Sequence, residues 1–210
     1  MRGFGWYYAR AFIRPRRALD ALAAEPRRLR YGAYAVAITA TAYTLVYFFL
    51  SHNGGRPTVF RPWLAIDAEV YYHYNLYFHV PSLLLAWIAA TGVAQLAARA
   101  VGGTGAFEDT LAGLGVGLSV ASWWTALHDV VTTFLGFVGV IDQRAYEDAM
   151  NGATAAGALI WTLMTGYLVW FVLMFTKAMG ASQQLRPAPA AAIGALAFVV
   201  YQLIFVLFNR

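Results

Sequence analysis

The sequence predicts an all-α integral membrane protein, with five transmembrane helices preceded by an N-terminal interfacial amphipathic helix pair. Three observations predict it. Tyr31 to Leu50, Ile160 to Thr176 with an apolar lead-in from Ala153, and Ala188 to Phe208 are each about long enough, at ~1.5 Å per residue, to cross roughly 30 Å of hydrocarbon. Of the residues, 60% are hydrophobic and only 12% charged, against roughly 25% charged in a soluble domain. Eight of the fifteen basic residues precede Tyr31, directly before a span. That placement makes anionic lipid headgroups, rather than nucleic acid, the partner of the +5 formal charge.

In order along the chain, residues 1–30 form the interfacial segment and residues 31–210 the five-helix bundle. Phe4, Tyr8 and Phe12, followed by Ala18, Leu19 and Leu22, recur at helical spacing beside Arg10, Arg14, Arg16 and Arg17. Pro15 and Pro26 divide the segment into two short helices, because proline lacks the N–H and clashes with the preceding turn. An apolar stripe beside arginines predicts a pair lying on the inner leaflet, with those four arginines binding lipid phosphates. The stretch lacks the continuous apolar core of a cleavable signal peptide, so the first span is expected to serve as targeting signal. The absence of cysteine excludes disulfides, thiolate metal sites and thiol catalysis.

The second span, Asn75 to Ala98, opens on Tyr77 and His79 and passes through Pro81 before a continuous apolar run. Gly102, Gly103 and Gly105 then permit a tight turn, and Thr104 with Glu108, or Thr110, can cap the helix that follows. With no lysine after it, this loop is not a phosphate loop. The third span, Leu111 to Gly139, is interrupted by His128 and Asp129, where it is expected to break or to reach the interface. Gly113 and Gly117 have the spacing that lets helix backbones approach, within the chain or between copies. Five spans put the termini on opposite sides. With the N-terminus inside, eleven basic residues face inward, among them Arg99, Lys177 and Arg186, and only Arg56, Arg61, Arg144 and Arg210 face outward.

Several of these features together resemble one family. They are the short helix with Phe12, Arg14, Pro15, Ala18 and Leu19, the stretch Pro26 to Tyr31, and the inner loop Val101 to Leu111. Trp161 in the fourth span and the connector Lys177 to Pro187 ahead of an alanine-rich fifth complete the set. In these the chain resembles the Yip1 family of five-span membrane proteins, particularly its prokaryotic members. The resemblance covers nearly the whole chain and implies architecture more than chemistry, together with residence in a prokaryotic cytoplasmic membrane. Eukaryotic relatives act in vesicle trafficking and contact small GTPases and one another, but no long cytosolic N-terminal region is found here to receive such partners. The chain departs from the family in its third span, where Ser119 to Trp124 replace a frequent proline, and in that span's polar outer end.

The one constellation that suggests chemistry is brought together by topology. Glu69, His73 and His79 lie at the outer end of the second span, and His128, ~25 Å along the third, reaches the same interface with Asp129. Imidazoles and carboxylates suit one transition-metal ion such as zinc, copper or iron, or a proton relay. They also suit plain interfacial hydrogen bonding, with Asp129 pairing locally to Arg144 or Arg61. Ser82, Ser119, Ser122 and Ser182 lack a nucleophile elbow, and no dinucleotide fingerprint appears. The sequence therefore points to a membrane-organising or accessory subunit without catalytic activity, binding anionic lipid and other membrane proteins or further copies of itself. A metal-dependent enzyme or redox subunit built on the outer cluster is the alternative, and a transporter or channel comes third.

Overall fold

The structure is a computed structural model that describes residues 3–57, 63, 64 and 66–209. Its elements are α1 (Phe4–Ile13), α2 (Pro15–Ala23), α3 (Arg28–Asn53), α4 (Tyr71–Ala100), α5 (Phe107–Phe137), α6 (Gln143–Asn151), α7 (Ala155–Gln183) and α8 (Pro187–Phe208). Five of them, α3, α4, α5, α7 and α8, are long and apolar enough to span a membrane. The chain is thus a multi-pass, all-helical membrane protein.

Local chemistry sets the boundaries. Pro15 and Pro187 occupy first-turn positions, where a missing N–H costs nothing. Asp142 and Thr154 cap α6 and α7 by accepting from Ala145 N–H at 3.0 Å and Gly157 N–H at 3.1 Å. At α5 neither Thr104 nor Glu108 is the cap; Asp109 reaches back to Ala106 N–H at 2.9 Å. Gly54, with φ of 67°, closes α3 in the left-handed region that glycine adopts most readily.

The spans neighbour one another in the order α3, α5, α7, α8, α4 and back to α3, while α4 also touches α5. In α5 every residue from Ala112 to Ser122 is buried, so this part of the helix is internal, while Leu127, Val131 and Phe134 beyond it and a face of each other span look out to lipid. Glycines let it sit there. A Cβ on Gly32 of α3 would lie 2.6 Å from Ala112 Cα, and one on Gly115 would lie 2.9 Å from Gly32 O and 3.0 Å from the Trp87 ring. Gly194 of α8 is pressed as closely on Thr176 of α7. Gly113 and Gly117 face Ala178 and Met174 of α7, so the small-residue face is used inside the chain.

Three expectations need correction. α5 runs unbroken through His128 and Asp129 to Phe137, because both side chains find partners without disturbing the backbone. α7 continues past Thr176 and Lys177 to Gln183, leaving only residues 184–186 as connector; Gln183 is buried and bonded to Gln95 and Thr110, which holds the extra turns. The apolar face of α1 and α2 is given over to lipid only in part, with Phe12 exposed. Tyr7, Ala11, Ala18, Leu19 and Leu22 are buried, with α1 against α5 and α2 against both α5 and α7.

Candidate functional site

Two concave features among the described residues bear on function. The first is a cavity of about 360 Å³ inside the ring of spans, toward the end that carries α6. Rings and aliphatic groups such as Leu83, Met164, Phe198 and Tyr201 make most of its wall. Thr39, Tyr43, Ser122, Thr125, Tyr167 and Gln202 add a scatter of hydroxyl and amide groups, and among the described residues Asp129 is its only charged lining residue. Tyr43 and Thr125 share a hydrogen bond of 2.8 Å across α3 and α5, and Gln202 donates to Tyr167 Oη at 2.9 Å across α7 and α8.

Asp129 belongs to a short chain of bonds. Its Oδ1 is 3.0 Å from His128 Nδ1, and His128 Nε2 is 2.8 Å from Tyr146 Oη on α6. Nδ1–H donates to the carboxylate, and Nε2 shares its hydrogen bond with the Tyr146 hydroxyl, which can act as donor or acceptor. Burial first, and then the Asp129 charge, push the Tyr146 hydroxyl above its usual pKa of 10.0. The chain ties α6 over the end of α5.

The other predicted site residues go elsewhere. His79 is buried between α3, α4 and the end of α8, with Nδ1 3.2 Å from Asn209 Oδ1 and its ring edge-on to Tyr47 at 4.9 Å. Asn209 Nδ2 donates to Ser82 Oγ at 2.7 Å, and Asn75 donates to Tyr71, which donates to Phe208 O, so this cluster fastens the end of α8 to α4. Glu69 precedes α4 and bridges Arg56 and Arg144, which leaves Arg144 no role beside Asp129; Arg61 lies outside the described residues. His73 is exposed. Of the five, only His128 and Asp129 meet, and among the described residues no three His, Cys, Asp or Glu side chains converge in a way that could hold a metal ion.

The second feature is a crevice of about 700 Å³ on the lipid-facing side, between α5 and α7. Trp123, Trp124 and Trp170 line it with Leu127 and Leu163, and Phe12 of α1 forms part of its wall. Beyond Phe12 the chain turns through Arg14, Pro15, Arg16 and Arg17, which line a shallow dent of their own. All three arginines are exposed, and among the described residues only Arg16 has an acidic partner, Asp20 at 3.8 Å. Arg10 is placed differently, with its guanidinium 5.1 Å over the Trp6 ring.

From Trp123 in the crevice wall runs a partly buried hydrogen-bond chain that sequence reasoning missed. Trp123 Nε1 donates to Tyr8 Oη at 2.7 Å, Tyr8 lies 2.7 Å from Ser119 Oγ, and Thr39 donates to Ser119 at 2.8 Å. This chain of bonds occupies the stretch Ser119 to Trp124. The glycine-rich loop, in turn, is a packed turn: Gly105 O accepts from Gln95 and Gln183, and a Cβ on Gly105 would collide with Ser182 O.

No protein-family model, curated protein or solved structure matches the chain.

Proposed function

We propose that the protein is a non-enzymatic, membrane-organising accessory subunit that holds anionic phospholipid at its α1–α2 hairpin, in the inner leaflet of a prokaryotic cytoplasmic membrane. One observation carries this reading: the three exposed arginines begin two residues after Phe12, which itself lines the tryptophan crevice. A phosphate at Arg14, Arg16 and Arg17 and an acyl chain along Trp123 and Trp170 make one continuous phospholipid site, with charge matched at one end and apolar surface at the other. Each arginine near an anionic surface contributes on the order of 1 kcal/mol. Burial of the hairpin's other face against α5 and α7 supports a fixed site rather than a tail that samples the membrane. A Yip1-like identity accords with the order of elements, two short helices ahead of five spans.

The test is native mass spectrometry of the full-length protein released from nanodiscs containing equal phosphatidylglycerol and phosphatidylethanolamine. Retention of phosphatidylglycerol in preference to phosphatidylethanolamine is expected, and is lost when Arg14, Arg16 and Arg17 are all changed to Gln. Equal retention of both lipids, or a preference unchanged in that variant, overturns the reading.

A further inference from the structure

The cavity inside the ring of spans is separate from the hairpin and serves none of the roles above. Its volume of about 360 Å³ falls within the range of small-molecule sites, ~300 to 1,000 Å³. Its chemistry is asymmetric. Among the described residues of the wall, Asp129 is the only Asp, Glu, Lys, Arg or His. His128, on the next position of α5, gives its Nδ1–H to Asp129 Oδ1, while Oδ2 takes no hydrogen bond from the described residues. The rest of the wall is rich in aromatic rings, including Tyr43, Tyr167, Phe198, Tyr201 and Phe205. Ring faces and a carboxylate both attract positive charge, and in a low-dielectric site both do so more strongly than in water.

A way in is visible from the packing. α7 and α8 meet most closely where Gly194 abuts Thr176, toward the hairpin end. Nearer the α6 end, the Gln202 to Tyr167 bond is the one side-chain hydrogen bond joining the pair among the described residues. Leu168, Gln202 and Val206 all line the cavity and all keep exposed or half-exposed surface. The cavity thus reaches the lipid-facing side between α7 and α8.

We infer that this cavity binds one lipophilic organic cation, which enters between α7 and α8 and places its positive centre at Asp129 Oδ2 with its apolar body against the aromatic wall. An anion of the same size meets the carboxylate as a like charge and is excluded. A neutral lipid chain, the other occupant such a wall could take, gains nothing from Asp129.

The experiment measures equilibrium binding of radiolabelled tetraphenylphosphonium to full-length protein purified in mild detergent, with tetraphenylborate as the size-matched anion. One saturable cation site per chain is expected, with no saturable site for the anion. Asp129→Asn, which keeps the side-chain shape, weakens cation binding by about tenfold or more. Met164→Trp, which fills the cavity, abolishes it. No saturable cation site, or equal binding of both ions by the wild-type protein, overturns the inference, and neither outcome depends on any variant folding. Cation binding unchanged in a folded Asp129→Asn protein overturns the role of the carboxylate and leaves an apolar pocket.

Discussion

A Cβ built on Gly194 would sit 2.6 Å from the backbone nitrogen of Thr176 and 2.9 Å from the carbonyl carbon of Phe175, and neither backbone atom can swing aside as a side-chain tip would. Gly92 on α4 has nothing within 4 Å. The pair makes an internal control, since both lie inside spans and both lose a glycine's helix penalty on substitution. Gly194→Leu is expected to destabilise the protein by about 1–3 kcal/mol through overpacking, read as a lower melting temperature in detergent, while Gly92→Leu leaves it unchanged or slightly raised. An equal effect at both positions would remove the crossing argument. The sequence shows glycines at helical spacing but not which face meets which helix, and so Gly113 and Gly117 stood out. They make ordinary to tight contacts with α7, whereas the closest backbone approaches of one span to another are at Gly32 and Gly194. The candidate site was legible to the same degree. His128 and Asp129 were recognisable as the deepest ionisable pair, but the histidine's partner, Tyr146, lies on a helix the hydrophobic pattern did not reveal.

That helix, α6, is nine residues long and amphipathic, and its mark in the sequence is the Asp142 cap rather than an apolar run. Pro15, by contrast, divides α1 from α2 as expected, because proline acts through local geometry, while α2 ends at Ala23, ahead of Pro26. What local geometry does not give is the surface on which a helix lands, and α1 lands on protein through Tyr8. Burial raises the Tyr8 hydroxyl above its usual pKa of 10.0, outweighing its hydrogen bonds to Ser119 and Trp123, which act in the opposite direction. A hydroxyl whose pKa is higher folded than unfolded contributes its stability fully below pH 10.0, and that contribution is lost as pH rises through the folded value. α1 is therefore expected to loosen from α5 above pH 10.0, seen as proteolysis or faster hydrogen exchange confined to residues 4–13. Tyr8→Phe should remove that alkaline step. It should also cost about 1–3 kcal/mol at neutral pH, because Trp123 Nε1 is left without its acceptor. An alkaline transition unaltered in the variant would show that another group governs the docking of α1.

Across the whole molecule, five spans were recoverable from hydropathy because each carries its own signal, and the ring they form was not, because it depends on which faces meet. The cavity shows this most clearly: Thr39, Ser122, Asp129, Tyr167 and Gln202 come from four spans and have no spacing in common. An odd number of spans does fix one global property, that the α1–α2 hairpin and α6 lie at opposite ends of the bundle. The positive-inside rule sets the expected direction, with the cluster before Tyr31 inside and the sparse Arg56 and Arg144 outside, and labelling tests it. Ala24 and Ala145 are both exposed, one after α2 and the other on α6, and the native chain has no cysteine to interfere. Single cysteines at these positions, treated in intact cells with a membrane-impermeant maleimide, are expected to react at 145 and to stay protected at 24 until the membrane is opened. Labelling of both positions from outside would break the five-span crossing. Labelling of 24 alone would mean an inverted protein with Arg14, Arg16 and Arg17 at the outer leaflet, where the proposed phospholipid site would have to find its anionic ligand.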